Sequence, residues 1–171
     1  MKIAVVGPES CGKSTLVIAL AQYFNCAYVP EVAREYFATH PHLHYTIDDV
    51  IAIAQAQQAL EDQLAEQHPL LICDTAPLVC RIWAEVRFGH CPPAIAALDA
   101  HANYAATLLC APDLPWQVDP LRENPSNREE LFGIYANYLK LRSTPLAIIS
   151  GLGDARFRLA IEKLMAMGIA M

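Results

Sequence analysis

The sequence predicts a three-layer α/β domain around a five-stranded parallel sheet, and two observations carry that prediction. Short apolar runs alternate with longer stretches of helical spacing along the chain, the order that builds a parallel sheet covered on both faces. The interior run Leu70-Leu71-Ile72-Cys73 is apolar at every position, as a strand buried on both faces must be.

The elements follow in order. Residues 2–6 read as the first strand, and 13–24 as an amphipathic helix with Leu16, Ala19, Leu20 and Tyr23 on one stripe. A short strand near 27–29 stops at Pro30, and a helical turn opens at Glu31. Thr46-Ile47-Asp48-Asp49 has the form of a capping box and starts a helix running to about residue 67. The strand 70–73 ends at Asp74. Helices are expected over 77–88 and 93–103, and a strand over 105–110.

Residues 111–126 carry Pro112, Pro115, Pro120 and Pro125, which excludes regular structure. Ser126-Asn127-Arg128-Glu129 is expected to cap a helix to about 142. The last strand is 147–149 and the last helix 154–167. No repeat, low-complexity tract or linker divides the chain, so 1–171 is read as one domain, long enough to bury a core without staples.

Composition narrows the partners. Twelve basic against eighteen acidic residues leave a net charge of −6, with no basic stripe for a nucleic-acid backbone. No apolar run reaches the ~18 residues that span a membrane, and Met1-Lys2 leads straight into a strand rather than a signal peptide. The expectation is a cytoplasmic protein with neither nucleic-acid nor membrane partners. Cys11, Cys26, Cys73, Cys80, Cys91 and Cys110 form no C-x-x-C pair and read as small buried hydrophobes in a reducing compartment. His40-Pro41-His42-Leu43-His44 reads as a polar loop rather than a metal site.

One string carries specific chemistry. Gly7-Pro8-Glu9-Ser10-Cys11-Gly12-Lys13-Ser14 matches G-x-x-x-x-G-K-[ST] in full, between an apolar strand and an amphipathic helix. Its glycines let the loop curl so that successive N–H groups, those of Glu9, Ser10 and Cys11 included, face a phosphate chain. The following helix aims its positive end at the same point. Lys13 reaches the β- and γ-phosphates, Ser14 offers a hydroxyl to Mg²⁺, and Thr15 is placed for the α-phosphate. Asp74, at the end of its strand, suits the magnesium shell or the attacking group; helix N-capping is a compatible alternative. The fold class is therefore a P-loop NTPase fold binding ATP and Mg²⁺.

Absences narrow the type. Neither N-K-x-D nor D-x-x-G, the guanine-nucleotide signatures, occurs, nor does L-S-G-G-Q of transporter ATPases. A small kinase remains, which needs an acceptor pocket and a lid to keep water from the γ-phosphate. Glu31, Arg34 and Glu35 share a helical face at the sheet edge. That spacing serves an acceptor hydroxyl and a transferred phosphate, or equally a solvated ion-pair face. Gln57 lies on the apolar stripe of its helix, as a pocket residue or a satisfied core amide. Residues 111–130 suit a lid, with Arg122 and Arg128 able to reach phosphates and Trp116 an apolar anchor or a platform for a flat base.

Taken together, Gly-x-Glu-Ser at the loop, Glu31-x-x-Arg34-Glu35-Tyr36, Asp74-Thr75 and Trp116-x-x-Asp119-x-x-Arg122 resemble the NadR-like ribosylnicotinamide kinase family, from residue 1 to about 165. The resemblance implies a five-stranded P-loop kinase fold that transfers the ATP γ-phosphate to the ribose 5′-hydroxyl of nicotinamide riboside, in NAD salvage. It implies that Trp116 stacks near the nicotinamide ring and that Arg122 belongs to the lid. H-x-G-H, which the family's adenylyltransferase domain requires, is absent, so a stand-alone kinase domain is expected.

Under this mechanism Glu31, or alternatively Asp74, takes the acceptor proton, and Lys13, Arg34, Arg122 and Arg128 neutralise developing charge. Glu31, Arg34, Glu35, Gln57, Trp116 and Asp119 stand on the acceptor side. The rivals are a kinase for another nucleoside or nucleotide, and a regulatory ATP-binding switch with slow hydrolysis.

Overall fold

A computed structural model describes residues 1–40 and 44–169 of the chain. The elements are β1 (Lys2–Val6), α1 (Lys13–Tyr23), β2 (Ala27–Val29), α2 (Val32–Thr39), α3 (Ile47–Ala65), β3 (Leu71–Asp74), α4 (Pro77–Phe88), α5 (Pro93–His101), β4 (Ala106–Cys110), α6 (Arg128–Lys140), β5 (Leu146–Ile149) and α7 (Gly153–Ala166). The polar loop around His42 falls largely outside the described residues. All five strands are parallel in the order β2-β3-β1-β4-β5, so the first strand lies in the middle. Strand order reverses there, and ligands of open parallel sheets bind outside the carboxyl ends of the strands at such a point.

Two cores sandwich the sheet, and side-chain alternation sorts β1 between them. Ile3 and Val5 join Leu16, Leu20, Leu108 and Leu164 on the α1/α7 face. Ala4 and Val6 join Leu78, Ile82, Leu109 and Tyr135 on the α4/α6 face. A third cluster of Val50, Ile53, Cys80, Ala84 and Ile95 binds α3, α4 and α5.

Two local expectations need correction. The buried stripe of α1 is Leu16, Val17, Leu20 and Ala21. Tyr23 stays 45% exposed, because it packs its ring edge-on against Phe24 and Phe157 at the rim rather than into the sheet. At α6 no side chain caps the first turn; Asn127 turns back to donate to Asn124 Oδ1 at 3.2 Å. Glu61, in mid-α3, is fully buried. It accepts from Tyr104 Oη at 2.9 Å and pairs with Lys2 Nζ at 3.0 Å, which satisfies a charge that an amphipathic stripe would not place inside. The Thr46–Asp49 capping box is present, with the Thr46 amide donating to Asp49 Oδ2 at 2.7 Å.

Candidate functional site

The loop after β1 reads its geometry from backbone freedom. Gly7 takes φ +140° and Gly12 φ +77°. A Cβ on Gly7 would sit 2.6 Å from the Cys110 carbonyl oxygen and 3.2 Å from Cys11 Sγ. β4 therefore presses directly against the base of the loop, and only glycine fits. Gly7→Ala is expected to cost about 2–4 kcal/mol, read as a fall in Tm of roughly 5–15 °C by thermal denaturation. Cys11 has its side chain in the core, with Sγ donating to Pro8 O at 2.9 Å, so only its backbone faces outward.

Lys13 folds back over the loop and donates to the Gly7 and Pro8 carbonyls at 3.1 and 2.9 Å. Burial opposes its charge, but Cys11, Glu31, Tyr135 and Asp74 outweigh this and hold the ammonium protonated. Arg156 lies behind the loop, almost completely buried. It donates to Cys11 O at 2.8 Å, Ala111 O at 2.9 Å, Gly151 O at 3.0 Å and Asp113 Oδ1 at 2.6 Å. One guanidinium thus ties the Cys11 carbonyl of the loop to the turns that follow β4 and β5. Sequence reasoning passed over it, because an arginine in a helix's first turns reads as surface.

Asp74 is not a helix cap: α4 starts from Ala76 with no capping side chain. The residue after it, Thr75, is β-branched yet sits at φ 82°, a strained conformation of the kind found at functional sites. Asp74 Oδ1 is buried and makes no hydrogen bond among the described residues. Burial raises its pKa, against the opposing pull of Ser14 and Lys13. A buried carboxylate oxygen without a partner beside a serine hydroxyl is the donor set a hard divalent cation takes, the rest coming from phosphate and water.

One cavity of about 810 Å³ opens over this loop, lined by residues 7–15 at one end and by Phe37, Tyr45 and Trp83 at the other. Those three rings form a wall, with centroids 5.1 Å (Tyr45–Trp83), 5.6 Å (Phe37–Tyr45) and 6.0 Å (Phe37–Trp83) apart. Glu31 and Arg34 also line the cavity. Arg34 Nε donates to Glu31 Oε2 and its guanidinium to Asp119 Oδ2, both at 3.1 Å. The ion-pair reading of that spacing is therefore realised, at a cavity wall rather than on open surface. Two arginines hold Asp119, whose carboxyl lies below its ordinary pKa, first through the Leu121 amide and then through Arg34.

The segment 111–127 folds over the loop. Ser10 Oγ accepts the Gln117 amide at 2.9 Å, and Glu9 accepts the Glu123 and Asn124 amides at 3.0 and 2.8 Å. Arg122 lines the cavity and donates to Gln117 O at 2.6 Å. Arg128 donates to Ser10 O and Leu114 O and lies over the Trp116 ring, 5.8 Å from its centroid.

Of the residues expected on the acceptor side, Glu31 and Arg34 line the cavity; Glu35, Gln57, Trp116 and Asp119 do not. Gln57 is buried and accepts the Val32 amide at 3.0 Å, which fixes the start of α2. The aromatic wall was missed because Phe37, Tyr45 and Trp83 come from three separated stretches whose periodicity says only that they are half-buried.

Comparison with known proteins extends this geometry. A family model described as an AAA domain matches residues 2–156. The trifunctional NAD biosynthesis/regulator protein NadR of Salmonella typhimurium strain LT2 is 30% identical over 125 residues, 70% of this chain; its Escherichia coli K12 counterpart matches to the same extent. The chain spans 30% of the length of these curated relatives. A crystal structure of NadR in complex with NR superposes with a TM-score of 0.78 at 20% identity, over 99% of this chain and 52% of the other. A deoxyadenosine kinase from M. mycoides with products dCMP and dCDP superposes with a TM-score of 0.67 at 18% identity, over 97% of this chain and all of the other.

Proposed function

The chain belongs to the AAA-domain family whose model spans its residues 2–156, and from that premise we propose that it is an ATP-dependent kinase that phosphorylates the ribose 5′-hydroxyl of a nucleoside, with nicotinamide riboside the first acceptor to test. The observation that carries this is the single cavity with a phosphate cradle at one end and a wall of three aromatic rings at the other. Such a space suits a flat base and a triphosphate brought nose to nose, with a ribose between them at Glu31 and Arg34. The NadR complex with NR and the nucleoside-kinase fold support the acceptor class.

In this mechanism the chain acts as one P-loop kinase domain with residues 111–130 as lid. Backbone amides of the loop and Lys13 hold ATP, and Thr15 touches the α-phosphate. Ser14 and Asp74 would hold Mg²⁺, which would neutralise phosphate charge. Glu31 accepts the proton of the acceptor hydroxyl. Arg34 and Arg122 face the charge that spreads over the transferred group. Arg128 and Trp116 act indirectly, by stiffening the lid against Ser10.

Trp83→Ala is expected to raise the acceptor KM about tenfold, since stacking on an aromatic ring contributes ~1–3 kcal/mol per base, with the ATP KM nearly unchanged. Trp116→Ala should raise it less than about threefold. A larger effect at Trp116 than at Trp83 would move the base to the lid.

A coupled ADP-release assay with ATP, Mg²⁺ and nicotinamide riboside, beside deoxyadenosine, other nucleosides and nucleoside monophosphates, tests the function directly. Turnover that depends on nicotinamide riboside supports the reading. Turnover with another acceptor keeps the mechanism and changes the pocket assignment. Slow hydrolysis indifferent to every acceptor points to a regulatory nucleotide switch.

A further inference from the structure

We propose that Glu123 is a positioning residue that clasps the lid to both ends of the cavity, tying lid closure over the nucleotide loop to occupancy of the aromatic wall. The clasp itself is a matter of geometry; its link to substrate rests on reading the cavity as a kinase site.

Glu123 is bound from two sides by different groups. Its carboxylate accepts from Tyr45 Oη at 2.7 Å, and Tyr45 in turn accepts from Trp83 Nε1 at 2.8 Å. Its backbone amide donates to both oxygens of Glu9, at 3.1 and 3.0 Å, inside the phosphate-binding loop. The next residue repeats the second contact, with the Asn124 amide donating to Glu9 Oε2 at 2.8 Å and its side-chain Nδ2 to Oε1 at 3.3 Å. The chain Trp83–Tyr45–Glu123–Glu9 thus runs from the wall to the cradle through one lid residue, and all four line the same cavity.

The contact works as a sensor because Glu123 is exposed. Water competes for an exposed charge-assisted hydrogen bond, so with an empty cavity the bond contributes little. A ring seated against Tyr45 and Trp83 displaces that water and lowers the local dielectric, and the same bond strengthens. The lid is then held down where Glu9 sits, over the loop that takes the triphosphate. Linkage makes the effect mutual: an acceptor that favours the clasp tightens nucleotide binding, and nucleotide tightens acceptor binding by the same factor. The carboxylate of Glu9 is spent on lid amides, which explains an acidic residue in a loop built for anions.

Hydrogen–deuterium exchange on the ligand-free full chain tests the clasp without any assumption about substrate. In Glu123→Ala and in Tyr45→Phe, the amides of residues 123 and 124 should exchange about two- to fivefold faster than in wild type, the modest loss expected of an exposed charge-assisted hydrogen bond. The double variant should add nothing further, because both changes break one bond. Glu123→Gln, which keeps an acceptor oxygen for the Tyr45 hydroxyl, should retain most of the protection. Wild-type protection at 123 and 124 in Tyr45→Phe, or additive losses in the double variant, would overturn the proposal.

Equilibrium binding of a non-hydrolysable ATP analogue, with and without the acceptor found by the nucleoside panel, measures the coupling. Acceptor should tighten analogue binding about fivefold in wild type and leave Glu123→Ala unmoved; equal tightening in both would refute the link to substrate. If the panel finds no acceptor while exchange behaves as expected, the kinase reading fails and the clasp stands.

Discussion

Lys13→Ala is expected to lower kcat at least about a thousandfold while leaving the fold intact. The ammonium is held protonated by Cys11, Glu31, Tyr135 and Asp74 despite its burial, and it rests on the Gly7 and Pro8 carbonyls, at the rim of the space the phosphates would enter. A cation preset at that point meets the charge of the transferred group without reorganising, which is where electrostatic catalysis gains most. The structural cost is small, because both acceptors are loop carbonyls that water can reach once the side chain is gone. The check is the ADP-release assay at saturating ATP, with Tm measured beside it. A variant with a tenth or more of wild-type kcat at unchanged Tm would remove Lys13 from the chemistry.

Asp74→Asn should show the opposite pairing, with activity down at least about a hundredfold and Tm up by a few degrees. The carboxylate is buried, its Oδ1 makes no hydrogen bond among the described residues, and burial raises its pKa. Only between the ordinary value and that raised one does the folded chain keep a proton that the unfolded chain has released. Its contribution to stability declines as pH rises from the ordinary value of 3.8 toward the raised one. Asparagine removes that cost and should flatten the acid side of the stability–pH curve. If Asp74→Asn leaves the Tm–pH curve unchanged, the raised pKa belongs to another group. If it leaves the rate unchanged, Asp74 has no part in the reaction.

These two residues were legible in the chain because their chemistry is local. Lys13 belongs to a loop whose eight residues are contiguous, and Asp74 ends a strand that is apolar at every position. The order of elements was legible for a related reason: each strand and helix states its burial through its own periodicity, and parallel strands state it most plainly. Glu31 and Arg34, three apart, showed that they could meet, although spacing did not say whether they faced water or a cavity.

The rest of the site comes from chain segments far apart in sequence. The aromatic wall joins Phe37, Tyr45 and Trp83, and the segment over the loop reaches Glu9 and Tyr45 from Glu123. Arg156 reads as a surface residue of α7 until β5 and its loop carry it under Cys11. Trp116, which the family resemblance put near the nicotinamide ring, lies beneath Arg128 and outside the cavity lining. The sequence alone determined the phosphate cradle, the strand that carries Asp74 and the alternation of strands and helices, since each depends on neighbours within a few residues. Tertiary structure decided which aromatic rings face the cavity, which arginine braces the loop and what the lid touches. Those outcomes depend on how a twisted parallel sheet brings the ends of β1, β3 and β4 to one edge, and no short stretch of chain records that.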